Sequence, residues 1–269
     1  MSRHGSFFRL FEIFAGVMSR MKTKKTYWII TGAVACLAIW GARAKALRSV
    51  PAGQETTGEI TGKVLFEGTR PQLREIHMNK DPECVRENQG RVVYQQDGAV
   101  NPNGTLPNVF VFVKSGAQDL HFSPPSTPVV LDQQGCIFVP HVLGIMVGQT
   151  LKVLNSDFTT HNVHAMGNNQ ARWNESQPPG AAPFYKKFEH PGIMIPVDCN
   201  EHPWMKAYIG VVSNPFYNVT GPNGTFTIKN VPPGTYTIKA WTATFGNQEK
   251  TVTVRAHETS KLEFTFRHE

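Results

Sequence analysis

The 269-residue chain has few cysteines, few charged residues and no long apolar or helical pattern. Its four cysteines are too few for a small protein held together by disulfides. No segment longer than about ten residues combines helical periodicity with caps, which argues against a helical bundle. Charged residues make up 17% and hydrophobic residues 40%, a composition typical of a folded chain. The 23 glycines and 19 prolines favour many turns and short strands.

The net charge of +7 suggests a nucleic-acid partner only until its position is considered. Residues 1–46 carry eight Lys/Arg and one acidic residue, Glu12, so the remainder is formally neutral and no nucleic-acid partner is expected. Within this segment, basic residues precede an apolar run at 27–41, and small residues alternate at 42–46, as in a signal-peptidase site. The run is shorter than the about 20 residues that span a membrane, so cleavage is favoured over an uncleaved membrane anchor. Either reading predicts an exported protein, periplasmic or attached to the outer face of the cytoplasmic membrane.

The chain from Glu59 onward has the alternating pattern of β-strands and is rich in Val, Ile, Thr and aromatic residues. Clusters of Gly, Pro and Asn separate the candidate strands. The pattern predicts an all-β protein, with sandwiches as the default architecture. The strongest candidate strands are 60–66, 109–114, 151–154, 225–229, 235–241, 250–255 and 261–266.

A group of potential metal ligands stands out in the middle of the chain. Cys199, His202 and Met205 lie in one short segment, and a second histidine comes from His161 or His164 upstream. The two upstream histidines are separated by an odd step, so on a strand they point to opposite faces and only one is expected to ligate. A thiolate, two imidazoles and a thioether form a soft donor set that suits copper.

The same residues resemble the cupredoxins, and most closely the amicyanins. The ligand loop has the spacing of that family, including a proline directly after the histidine, at Cys199, His202, Pro203 and Met205. The strand and the His-Asn-Val-His run upstream are also similar. The resemblance implies a Greek-key β-sandwich over residues 127–213 and a type 1 copper ligated by His161, Cys199, His202 and Met205. It leaves His164 as a structural residue.

One residue departs from the amicyanin pattern, and several motifs of copper and other enzymes are missing. Glu201 stands where amicyanins have a proline before the loop histidine. Its backbone N–H would raise the reduction potential of the copper by donating to the Cys199 thiolate, whereas its carboxylate would lower it by stabilising Cu(II), so no value of the potential is predicted. The loop lacks the second cysteine of a binuclear copper centre, and the sequence lacks the His-x-His pairs of a trinuclear cluster. No triad order, paired-carboxylate motif or phosphate loop stands out, so the chain is not expected to be an enzyme.

Three further residues leave an alternative metal site open. A zinc site would need two more ligands beside Cys199 and His202, and Cys84, Cys136 and His141 are candidates for them. His141 is more simply a strand residue. In an oxidising compartment, a disulfide between Cys84 and Cys136 is the more favoured reading of those two cysteines.

The C-terminal region, residues 214–269, resembles the carboxypeptidase-regulatory-like, prealbumin-like sandwich domains. It contains a Gly-x-Phe-x-Ile segment and then Val-Pro-Pro-Gly-x-Tyr, at 224–228 and 231–236. The first strands of such a domain are missing there and are found instead within residues 57–115. This order predicts a prealbumin-like sandwich split around the copper domain. A tandem arrangement, with an N-terminal β extension, is the alternative.

The resemblances together imply an exported type 1 copper protein that carries single electrons between periplasmic protein redox partners. Electrons are expected to pass through His202, whose loop is expected to reach the surface, and Asn162 is expected to support the site from a turn beside His161. The alternative function is a non-redox copper-binding module, or a β-sandwich that contacts other proteins or carbohydrate.

Overall fold

Strands form almost all of the regular structure in the computed structural model, which describes residues 48–49, 56–168 and 171–267. The all-β fold class is therefore confirmed. The predicted signal or anchor at 1–46 lies outside the described residues. No helix in the described part of the chain is long and apolar enough to cross a membrane.

The described residues contain 18 strands and one short helix, α1 (Pro82–Glu87). The strands are β1 (Arg48–Ser49), β2 (Gly58–Glu67), β3 (Phe110–Ser115), β4 (Leu120–His121), β5 (Val129–Gln133), β6 (Phe138–Val139), β7 (Val142–Met146), β8 (Thr150–Asn155), β9 (His161–Met166), β10 (Arg172–Gln177), β11 (Phe184–Lys187), β12 (Gly192–Asp198), β13 (Lys206–Val212), β14 (Tyr217–Val219), β15 (Thr225–Val231), β16 (Gly234–Thr242), β17 (Gly246–Val254) and β18 (Thr259–Arg267). Each of the seven predicted strands overlaps one of these.

The central sandwich is formed by β5 to β13. One sheet has the order β10-β9-β12-β13-β7, and the other has the order β11-β8-β5-β6. In β8, alternate residues such as Leu151 and Val153 point inward, and buried residues of both sheets form one cluster between them. The candidate ligands lie in and beside β9 and β12, which are neighbours in the five-stranded sheet.

The flanking sandwich takes strands from both sides of the central sandwich in the sequence. Its sheets have the orders β14-β3-β16-β17 and β15-β2-β18. β2 is antiparallel to β15 and parallel to β18, so strands from before and after the central sandwich meet in one sheet. β3 is buried on both faces at Phe110 to Val113, as its continuous apolar run predicts. The division of the chain into domains stays a prediction.

The two sandwiches pack against each other through a small aromatic core. Phe110 of β3 and Tyr217 of β14 lie against β7 and β13 of the central sandwich. The rings approach the backbone closely at Gly144 and Gly210, where an added Cβ atom would overlap them. Glycine is therefore required at these two strand positions to let the sandwiches approach.

This close approach predicts that Gly210→Ala destabilises the protein. The new Cβ atom would lie about 2.5 Å from the Phe110 ring, so the ring or the strand has to move. Overpacking of this kind costs about 1–3 kcal/mol in the free energy of unfolding, measurable by urea denaturation. Gly221→Ala is the control, because its Cβ atom would meet nothing closer than 3.5 Å. Equal stability of the two variants would contradict this packing.

Candidate metal centre

Three potential ligand atoms converge at one end of the central sandwich. His161 is the first residue of β9, Cys199 directly follows β12, and His202 lies in the loop from β12 to β13. The Nδ1 atoms of the two histidines are 2.9 Å apart, and Cys199 Sγ is 3.8 Å from His202 Nδ1. All three side chains are buried, with exposed fractions of 0%, 3% and 4% in chain order. The structure thus brings three of the four predicted ligands together, with their ligand atoms within 4.8 Å of one another, close enough to hold one metal ion.

The fourth predicted ligand, Met205, ends the same loop and is completely buried. Its backbone N–H donates to the carbonyl of His202 at 2.9 Å, and its carbonyl accepts from the N–H of Cys199 at 3.3 Å. These two bonds close the loop into a tight turn. Cys199, His202 and Met205 are therefore held together by local backbone bonds as well as by the sheet.

The Cys199 sulfur lies in surroundings that favour its thiolate. Burial alone would raise its pKa, but hydrogen bonds with the two histidines and with the N–H of Asn162 outweigh burial and lower the pKa to about 6. The Asn162 N–H is 3.4 Å from Sγ. The Asn162 side chain also bonds to Asn174 and accepts from the N–H of Asn200. Asn162 therefore contacts the Cys199 sulfur and the loop after it, and it lies in β9 and not in the predicted turn.

Two aspartates that the sequence analysis did not identify fix the orientation of the histidine rings. Asp157 accepts from His161 Nε2 at 2.8 Å, and Asp81 accepts from His202 Nε2 at 2.7 Å. Since each Nε2 must carry its proton to donate to a carboxylate, the lone pair of each neutral ring lies on Nδ1, facing Cys199. Carboxylates in this position are common behind histidine ligands of metals.

The same hydrogen bonds raise the pKa values of the two histidines in the metal-free site. Burial opposes protonation of His161, but its bonds with Asp157 and Cys199 prevail and raise its pKa to about 9. The pKa of His202 is also raised, against burial, by Cys199 and Asp81. Two Nδ1 acceptors 2.9 Å apart need a cation between or beside them. A proton can meet that need in the metal-free protein, and a metal ion can replace it.

A disulfide joins the two segments that hold Asp81 and Asp157. Cys84 and Cys136 form the predicted bond, which joins α1 to the turn before β6. Asp81 caps α1 by accepting from the N–H groups of Glu83 and Cys84. Asp157 accepts from the N–H of Cys136 at 2.8 Å. The disulfide therefore ties the segments that hold the two carboxylates.

The remaining histidine candidates have other partners. His141 lies between β6 and β7, so its prediction as a strand residue was wrong. Its ring nitrogens bond to the Lys206 carbonyl and to Asp97, each at 2.9 Å. His164 is partly exposed on β9 and bonds to Asn200 at 3.2 Å. Because the cysteines at 84 and 136 are paired in a disulfide, they offer no thiolates for the alternative zinc site.

The loop of His202 reaches the surface at Glu201 and Pro203, as expected, but the His202 ring itself is buried. Asp81 and the Cys84 sulfur cover its Nε2 edge, at 2.7 and 3.6 Å. The covering segment lies between β2 and β3, 118 residues or more from His202 in sequence. A local reading of the loop could not detect it. Asp157, four residues before His161, is the only one of the two aspartates with a sequence position that could have suggested its role.

Comparison with known families supports one of the two resemblances. Residues 203–267 match the carboxypeptidase regulatory-like domain, which confirms that resemblance for the C-terminal strands. The match covers less than half of the chain. A comparison with curated proteins finds no significant match.

Solved structures that are similar to parts of the chain include copper proteins. A Cu-containing nitrite reductase from Thermus scotoductus SA-01 is 24% identical, with 34% of this chain and 26% of the reductase aligned and a TM-score of 0.29. A reduced Cu(I) amicyanin variant is 20% identical over 38% of this chain and 97% of its own, with a TM-score of 0.28. A purple cupredoxin from Nitrosopumilus maritimus is 23% identical over 30% and 97%, with a TM-score of 0.26. All three TM-scores are low, and all three identities are below 25%.

The lowered pKa of Cys199 predicts that its thiolate persists in the metal-free protein at neutral pH. A depressed thiol pKa means that the thiolate is present above about pH 6 and is protonated below it. We expect the thiolate ultraviolet absorbance, taken as the difference between wild type and Cys199→Ser, to titrate with that midpoint. A midpoint near the ordinary thiol value of 9.0 would contradict the proposed hydrogen bonds to Sγ.

Proposed function

We propose that the chain is an exported one-electron carrier whose central sandwich holds a type 1 copper ion. His161, Cys199 and His202 would bind the ion, with Met205 as a weak axial ligand. The observation that carries this proposal is the convergence of two Nδ1 atoms and one buried cysteine sulfur, with the buried Met205 at the end of the same loop. Export and periplasmic protein redox partners are part of the proposal and rest on the N-terminal segment and on the family resemblance.

The donor set supports copper over the alternatives. Thiolate, imidazole and thioether together are the soft ligands that favour copper, and blue-copper sites use two histidines, a cysteine and a distant methionine. A structural zinc site needs four good ligands, and the additional cysteines proposed for it are held in the disulfide. Copper bound here would supply reversible exchange of one electron.

The protein would contribute a site that hardly moves when the charge of the centre changes. Asp157 and Asp81 hold the two rings, and the Asn162 N–H holds the Cys199 sulfur. The loop that contains Met205 is closed by backbone bonds. Since each ligand is oriented before any ion binds, little reorganisation should accompany a change of one electron, which favours fast exchange.

Removal of the thiolate should abolish the spectroscopic signature of the site. We expect the copper-loaded, oxidised protein to show intense visible absorption and a type 1 paramagnetic-resonance spectrum, and Cys199→Ser to lose both. His164→Ala is the control, because His164 is near the loop but bonds only to Asn200 among the described residues. A colourless Cu(II)-loaded wild type would overturn the type 1 assignment.

A reversible midpoint potential separates the proposed carrier from a non-redox copper-binding module. A carrier must be reduced and reoxidised without loss of metal, whereas a storage site need not cycle. Cyclic voltammetry of the copper-loaded protein is therefore expected to give a stable, reversible one-electron wave. Irreversible loss of copper on reduction would favour the storage function.

Asp157→Asn should weaken metal binding, because the amide removes the charge that holds His161 with its proton on Nε2. Loss of such a carboxylate typically reduces metal affinity by about 10–100-fold. Competition with a chelator of known affinity measures the change. Asp119→Asn, an exposed aspartate beside β4, is the control and should bind as wild type does. Equal affinity of both variants would show that Asp157 has no role in binding.

A further inference from the structure

The Nε2 edge of His202 is covered by Asp81 and Cys84. The side chain is 4% exposed, and its Nε2 atom donates to Asp81 at 2.7 Å. The Cys84 sulfur lies 3.6 Å from the same nitrogen. The disulfide between Cys84 and Cys136 holds α1, the helix that covers His202, in place. An electron that reaches His202 from outside must therefore cross a neighbouring group.

Trp204 is the aromatic neighbour that makes this connection. Its ring centroid is 5.0 Å from that of His202, with the ring planes tilted by 47°. The indole N–H donates to the Cys136 carbonyl at 3.0 Å, which fixes the ring against the core. Unlike His202, Trp204 is only half-buried.

The exposed side of Trp204 faces a surface crevice. Tyr94, Ile137 and Lys206 also line it. Tyr94 is 49% exposed, so a partner can come into contact with this crevice without displacing the helix that covers His202. The neighbouring loop residues Glu201 and Pro203 are exposed as well. Trp204 thus joins a ligand on one side to accessible surface on the other.

We propose that electrons enter and leave the centre through Trp204 and not through the edge of His202. This inference rests on the proposed function. In self-exchange between two copies of the protein, one electron passes from the reduced copy to the oxidised copy. The first copy is oxidised and the second is reduced. No bond forms or breaks, and no other reagent is needed.

The test is the self-exchange rate of Trp204→Leu, measured by NMR line broadening in mixtures of reduced and oxidised copper-loaded protein. We expect a severalfold slower rate, with an unchanged visible spectrum and midpoint potential, because the ligands remain in place. Trp204→Phe keeps a ring beside His202 and should slow exchange less. The matched control is Trp173→Leu, which removes a half-buried tryptophan that meets Phe184 of β11 edge to face.

An unchanged rate in Trp204→Leu would overturn the inference, and so would an equal decrease in Trp173→Leu. A wild type that does not cycle reversibly would overturn the proposed function and this inference with it. That result differs from an unchanged rate in Trp204→Leu, because without reversible cycling no self-exchange rate can be measured for any variant.

The metal-free protein offers an independent readout. We expect slow hydrogen exchange at His202 Nε2. We also expect acrylamide to quench the part of the tryptophan fluorescence that Trp204→Phe removes. Fast exchange at His202 together with an unquenched Trp204 would also overturn the inference.

Discussion

The candidate site depends on two hydrogen bonds between carboxylates and histidines. Asp157 and Asp81 each hold the Nε2 proton of one ring, so the Nδ1 lone pairs of His161 and His202 must face the Cys199 sulfur. Without these bonds each ring could adopt the other tautomer or turn away. The two carboxylates therefore set the direction in which the candidate ligand atoms point.

The fold brings these carboxylates in from separate parts of the chain. Asp157 comes from the loop between β8 and β9 of the central sandwich, whereas Asp81 comes from the connection between β2 and β3 of the flanking sandwich. The Cys84–Cys136 disulfide fastens that connection to the central sandwich. The strand order that places β2 and β3 before the central sandwich therefore also supplies the cover of His202. Assembly of the site therefore requires more than the strands of the central sandwich.

Much of the architecture could be predicted from local patterns. Period-two alternation located β2, β8 and β15 to β18, and the spacing of Cys199, His202 and Met205 pointed to the loop that holds three of the four candidate ligands. The disulfide followed from the expected compartment. Asp81 could not be predicted, because it meets His202 across 121 residues and nothing in its local sequence marks it. The burial of His202 was missed for the same reason, since a loop pattern does not show what packs on top of it.

The central claim is that His161, Cys199 and His202 bind one copper ion through two nitrogens and one sulfur. Copper-edge X-ray absorption of the protein loaded with one equivalent of copper tests it most directly. Copper bound by these three residues should show a short copper–sulfur distance and two imidazole nitrogens, in both the oxidised and the reduced protein. A spectrum with nitrogen and oxygen neighbours only, and no short sulfur distance, would contradict it.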